Sequence, residues 1–237
     1  MAAISGPSIA TPGRPAVADR LAALGVLDRR AVVLHVSGAL GSDVLDAAAA
    51  AGAATGSMHP LQTFPDVEAG LRALPGSHWF VEGDARALDA AGRLVKRLHG
   101  TPHVIATADK VLYHAAAVIA CNYLTVLMDA ALKTAERAGI ERGPMFEALY
   151  PLLVSTLDNL ATKGAAASLT GPVSRGDVDT VRRHVGALDR VAGAGELYRL
   201  LGLKAVALAR EGGRIDNDAA RSLAAVLAAQ EDHAGER

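Results

Sequence analysis

The stretch from Ala108 to Gly139, ADKVLYHAAAVIACNYLTVLMDAALKTAERAG, divides the chain into two kinds of sequence. Before it, short valine-rich runs alternate with helical patterns, and after it every pattern is helical. The stretch itself is nearly uncharged and apolar, yet it carries Lys110, His114 and Asn122. On one α-helix, Lys110 and His114 share a face one turn apart, and Asn122 lies two turns further on, about 80° round from His114. The expectation is a buried helix with a polar stripe. A buried asparagine needs partners, because an unsatisfied amide costs about 1–3 kcal/mol.

On the N-terminal side, Ala31–Val36 (AVVLHV) is a short continuous apolar run, the pattern of a strand covered on both faces. Ala53–Met58, His78–Val81 and His103–Ala106 repeat it, with helical patterns at 15–25, 85–98 and a stretch capped by Ser42 or Asp43. This alternation predicts βαβ units and a mainly parallel sheet. On the C-terminal side, helices are expected at 108–138, 144–163, 177–191, 194–211 and 217–230, separated by glycine and proline. The predicted organisation is a loose lead-in at 1–14, an α/β domain at 15–107, an all-helical domain at 108–230 and a polar tail at 231–237.

Composition narrows the function classes. The 237 residues are 51% hydrophobic but only 3% aromatic, which favours helices packed through small side chains. A formal charge of −1, without a basic tract, argues against nucleic acid as a partner. Cys121 is the one cysteine, so no intramolecular disulfide is available and a reducing cytoplasm is expected. No cysteine pair proposes a metal site. Val111–Met128 is long and apolar enough to pose the question of a membrane span. His114 and Asn122 interrupt it and no basic cluster flanks it, so no membrane partner is expected.

Several small groups are placed where chemistry is commonly done. His35, Ser37, Gly38 and Ala39 end the first strand, where open parallel sheets bind ligands and free amides meet phosphate or carboxylate; an ordinary tight turn has the same sequence. The second strand leads through Ser57 into His59-Pro60, then Gln62 and Thr63. A histidine there can move a proton near neutral pH, and equally can be structural. Lys110 followed by His114 suits carbonyl polarisation or proton transfer in a dry cleft. In the helical half, Asn159, Thr170 and Arg175 are candidates to hold a substrate. Arg175 suits a carboxylate or phosphate clamp, unless Asp177 simply caps the next helix beside an exposed arginine.

The order of four motifs, HVSGALGSDVL, GSMHPLQTF, DKVLYHAAAVIACNYL and LTGPVSRGD, resembles a family of oxidoreductases with an N-terminal Rossmann-like domain and a C-terminal helical domain of unknown function. The likeness covers roughly residues 15 to 212. The architecture is also similar to prephenate dehydrogenase, ketopantoate reductase and pyrroline-carboxylate reductase. The resemblance implies a partial Rossmann-like parallel sheet followed by an all-α domain, NADP or NAD as cofactor, a small keto or imino acid as substrate, and a homodimer formed through the helical domain. It likens Ser37 and His59 to the serine and histidine near the reacting carbon of prephenate dehydrogenases, and Lys110 and Asn122 to the lysine and asparagine of β-hydroxyacid dehydrogenase relatives. Together with the residue reading above, His59, Lys110, His114 and Asn122 are expected in catalysis, His35, Ser37, Gly38 and Ala39 at the cofactor, and Ser57, Gln62, Thr63, Asn159, Thr170 and Arg175 at the substrate. Lys110 and Asn122 stand further apart than the usual pair of β-hydroxyacid dehydrogenases. The G-x-G-x-x-G turn of such families is not in the sequence, so the chain is expected to enter the Rossmann domain partway through. The competing expectation is a non-catalytic, helix-mediated dimer or a metabolite-binding remnant of that family.

Overall fold

The computed structural model describes residues 13–229, so the expected lead-in and tail fall largely or wholly outside the described residues. The chain forms two compact units that divide between Tyr123 and Leu124, inside the long helical run and after the position expected from the last strand.

The first unit is built on a four-stranded sheet in the order β1 (Val32–His35), β2 (Ala54–Pro60), β3 (His78–Gly83), β4 (Thr101–Val104). The first three strands coincide closely with the expected apolar runs, whereas β4 begins two residues before the run His103–Ala106 and shares only His103 and Val104 with it. Helix α1 (Gly13–Ala23) precedes them, and a 3₁₀ turn (Ser42–Leu45) with a short α2 (Asp46–Ala50) links β1 to β2. Ala18, Leu45, Ala48 and Ala53 close a small core there. Helix α3 (Val67–Ala73) links β2 to β3, and α4 (Ala85–Arg97) links β3 to β4.

One expectation needs qualifying. β1 with β2 and β3 with β4 are parallel, but β2 and β3 run antiparallel, with His59 opposite Phe80 and Ser57 opposite Glu82. The reason lies in the β2–β3 connection. A parallel crossover lays a helix on the sheet, whereas α3 leaves Val67 and Leu71 80% and 66% exposed. Gly83 follows from this close pairing. Its φ is +139°, and a Cβ there would collide with the Thr55 carbonyl oxygen, so only glycine fits.

The sheet has two unlike faces. On one, Met58, Trp79 and Val81 pack against Ala91 and Val95 of α4, whose N-cap Asp84 accepts hydrogen bonds from the Arg86 and Ala87 amides. Ala87, Ala91 and Val95, spaced by four, make the stripe that lets α4 lie close. On the other face Ser57, His59, Phe80 and Glu82 meet α5 (Lys110–Ala117). This second face carries the candidate site.

Helix α5 runs through a π-helical turn (Val118–Asn122) into α6 (Tyr123–Arg137). The expectation of a buried helix is corrected. Val111, Leu112, Ile119 and Val126 are exposed along the run, and among the described residues it is the one helix long and apolar enough to cross a membrane.

The second unit continues from α6 with α7 (Arg142–Ser168), broken at Gly164, then α8 (Val178–Leu188), α9 (Ala194–Glu211) and α10 (Asn217–Ala228). Val181 and Val185 of α8, Val206 and Ala209 of α9, and Leu223 and Leu227 of α10 form its core. The architecture is thus a mixed, mostly parallel Rossmann-like sheet followed by helices, the predicted fold class.

Candidate functional site

The carboxyl ends of β1 and β2 and the first turns of α5 converge on a polar network. Lys110 is 0% exposed, its ammonium donating to the Ser57 hydroxyl at 2.7 Å and to the Ser37 carbonyl at 3.1 Å. Ser57 donates onward to Glu82 Oε2 at 3.1 Å. Glu82 also accepts from the Ser42 hydroxyl at 2.6 Å, the Ser42 amide at 3.0 Å and the Thr107 hydroxyl at 2.8 Å. A buried cation and a buried anion are therefore joined through one serine, and three strand ends are tied to the start of α5.

The two ionisable groups respond differently. Burial pushes Lys110 below its ordinary value, against the attraction of Glu82. Burial also acts to raise Glu82, but hydrogen bonds from Ser42, Thr107 and Ser57 outweigh it and hold the carboxyl below its usual range. The strong carboxylate acceptor explains a local correction. Ser42 or Asp43 was expected to cap the helix after β1, yet the Ser42 hydroxyl is drawn to Glu82 and no side chain caps that turn.

Beside the network, the imidazoles of His59 and His114 stand edge to face with ring centres 5.9 Å apart. His59 Nδ1 is 2.8 Å from the Tyr113 hydroxyl, and Tyr113 stacks on Phe80 at 4.1 Å. Both histidines close against Gly38: a Cβ at that position would lie 2.5 Å from His114 Cδ2 and 2.9 Å from His59 Nε2. Gly38 is buried, and its amide, like that of Ala39, has no hydrogen-bond partner among the described residues. A buried N–H of this kind calls for an acceptor from a ligand or from solvent.

The structure thus brings Ser37, Gly38, Ser57, His59, Lys110 and His114 together, but gives some of them different work from that expected. Ser57 is buried between Lys110 and Glu82, so its hydroxyl is spent inside the chain and not on a substrate. His35 was expected at the cofactor. Instead its Nδ1 accepts the Ser37 amide, which fixes the neutral tautomer, and its Nε2–H donates to the Gly41 carbonyl. The ring shapes the β1 turn from within. Leu40 N–H donates to the Ser37 hydroxyl, completing that turn.

Asn122 was expected to be buried and is exposed. The π turn also changes its direction. Each such turn takes one residue more than an α turn, about 100° of phase, which returns Asn122 to within roughly 20° of His114 on the helix. Gln62 and Thr63 are exposed, with Gln62 Oε1 accepting the Thr63 amide.

Asn159, Thr170 and Arg175 belong to the second unit. Asn159 is engaged on its own helix with the Ser155 carbonyl and Lys163. Thr170 and Arg175 are exposed, and Asp177 caps α8 through the Thr180 amide, as the plainer reading of that loop anticipated. Two surface depressions, one along α3 near Phe64 and one between α9 and α10, include none of the strand-end residues.

Glu82, Tyr113, Ser42 and Thr107 were missed in the sequence. A signal existed for Glu82. It directly follows the apolar run His78–Val81, and a carboxylate carried to the buried end of a strand requires partners. Tyr113, three residues after Lys110, shares the helix face already singled out.

Comparison with known proteins agrees with this architecture. No curated protein matches the sequence. The structure is similar to that of TM1727 from Thermotoga maritima, with a TM-score of 0.63 and 28% identity over 76% of this chain and 69% of that one. It is also similar to a candidate NADP oxidoreductase, BF3122 from Bacteroides fragilis, with a TM-score of 0.62 and 19% identity over 75% of this chain and 65% of that one. This chain therefore spans about two thirds of the length of each. Residues 77–205, more than half of the sequence, match the family described as a domain of unknown function, DUF2520, and the chain belongs to that family.

Proposed function

We propose that the protein is an NAD(P)-dependent reductase of a small keto or imino acid, with its reaction centre at the ends of β1 and β2. The observation that carries this reading is the convergence on Gly38, a buried glycine whose amide has no hydrogen-bond partner among the described residues and against which two histidines close. The likeness to a candidate NADP oxidoreductase supports the same reading.

The strand ends fit the nicotinamide end of such a cofactor. The Gly38 and Ala39 amides would donate to it, and Ser37 would shape the turn that presents them. When bound, the cofactor supplies the hydride. His59 supplies the proton to the substrate heteroatom, and His114 and Asn122, on one face of the helix, line the same approach. Lys110 is a buried strut that holds the Ser37 carbonyl and Ser57, a role its 0% exposure favours over contact with substrate.

The active form in this reading is a homodimer, in the cytoplasm. The exposed apolar side chains of Val126 on α6 and of Phe146, Tyr150, Leu152 and Leu157 on α7 would be covered by a second copy.

Fluorescence titration with NADPH and NADH is the test, followed by turnover on a panel of keto acids with and without ammonia. Micromolar binding with turnover is expected, and His59→Asn is expected to lower kcat by about 10²–10⁴ while retaining most of the affinity. No binding up to millimolar nucleotide would refute the reading and leave a metabolite-binding remnant.

A further inference from the structure

We propose that Tyr113 is the positioning residue for His59, fixing the imidazole so that the neutral ring carries its proton on Nε2, the nitrogen beside the Gly38 turn. The proposal deepens the reductase reading, on which its chemical purpose rests, but its structural content stands apart from it.

Three contacts define the pair. The Tyr113 hydroxyl is 2.8 Å from His59 Nδ1, the tyrosine ring meets the imidazole edge-on at 5.7 Å, and Phe80 packs on the tyrosine at 4.1 Å. Tyr113 is thus held from the sheet side while its hydroxyl is aimed at one ring nitrogen. Burial raises its pKa to about 12, so it remains a phenol through the neutral range. A half-buried phenol must place its proton on an acceptor, and His59 Nδ1 is the hydrogen-bond partner it has among the described residues. Nδ1 therefore accepts, and the proton of the neutral imidazole sits on Nε2. That nitrogen lies on the edge of the ring facing Gly38, where an added Cβ would come within 2.9 Å of it.

The arrangement serves both charge states of the ring. When His59 takes up a second proton on Nδ1, the Tyr113 hydroxyl turns and its oxygen accepts. The Nε2–H bond would then be the one that breaks: its electron pair stays on Nε2 and the proton forms a new O–H or N–H bond on a substrate heteroatom, leaving the ring proton on Nδ1 with the Tyr113 oxygen accepting it. Nε2 regains a proton from solvent and Nδ1 releases one to restore the resting form. The ring need not move. His114, on the same helix as Tyr113, is a further titratable group facing it among the described residues. Tyr113 acts through His59 and touches no reacting atom in this scheme.

The test is long-range ¹H–¹⁵N correlation on the full chain labelled at histidine, at about pH 8, where an ordinary imidazole is neutral. His59 is assigned from the spectrum of His59→Gln. Wild type is expected to show the Nε2–H form in about tenfold excess or more, the population bias of one net hydrogen bond, with the ratio falling several-fold in Tyr113→Phe. The phenylalanine keeps the ring that stacks on Phe80. Should that variant not fold, the wild-type ratio decides alone. A dominant Nδ1–H form in wild type, or an unchanged ratio in Tyr113→Phe, overturns the proposal. None of these readouts needs NADPH to bind, so failure of the reductase reading would be seen separately.

Discussion

Replacing Lys110 with methionine probes the network on which the strand-end geometry depends. The substitution keeps an unbranched stem in the buried slot and deletes the ammonium, removing bonds of 2.7 Å to Ser57 and 3.1 Å to the Ser37 carbonyl. Hydrogen bonds to a charged group contribute about 1.5–3 kcal/mol each. Against that, the buried cation no longer has to be desolvated, and removing a whole ion pair in favour of apolar packing is often neutral. Glu82 remains, however, and the lysine's half of the arrangement is lost, so a net cost of about 2–4 kcal/mol is expected. Urea unfolding followed through Trp79 reads this unit specifically, because Trp79 is the one tryptophan and is 5% exposed within its core. At a slope of about 2 kcal/mol/M the midpoint should fall by about 1–2 M. Combining Lys110→Met with Glu82→Gln should cost at least about 1 kcal/mol less than the sum of the single changes, since Ser57 links the two groups. A Lys110→Met midpoint close to wild type, with strict additivity in the double variant, would refute the network as a structural element.

Other predictions concern acid, packing and assembly. The Glu82 carboxyl is held below its ordinary value of 4.5, so between the folded and unfolded pKa values the folded state binds fewer protons; that stability is present above about pH 4.5 and is lost as pH falls further. Glu82→Gln should flatten this acid limb of the Trp79 transition, and an unchanged limb would contradict the assignment. Gly38→Ala puts a methyl group 2.5 Å from His114 and 2.9 Å from His59, which should cost about 1–3 kcal/mol and displace one ring, visible as altered histidine resonances. Tyr150→Asp or Leu157→Asp on the exposed face of α7 should turn a dimer into a monomer in sedimentation, whereas a wild-type monomer would argue against that use of the face.

Much of the fold was legible because it rests on local pattern. The first three strands coincide with apolar runs such as Ala31–Val36 and the fourth overlaps its run at His103 and Val104, and Gly139, Gly143 and Gly212 punctuate the helices where they end or begin. What was hidden depended on relations between distant residues. The antiparallel β2–β3 pair turns on α3 not lying on the sheet, and the apolar exposure of Val67 and Leu71 has no signature distinct from burial. The phase of Asn122 depended on a π turn that leaves no mark in an alanine-rich helix. At the site, Lys110, His59 and Ser37 stood out as polar groups at element ends. Yet whether a lysine faces substrate or a buried carboxylate is decided by Glu82, far away in sequence, and Ser57 and His35 changed roles for the same reason.

The central claim is that the Gly38 turn and the two histidines form a nicotinamide site. Recording the amide and histidine-labelled spectra of the chain while adding NADPH tests it most directly. The Gly38 and Ala39 amides and the His59 and His114 ring signals should shift first and saturate together. Saturable shifts that bypass these residues, or none up to millimolar nucleotide, would contradict it.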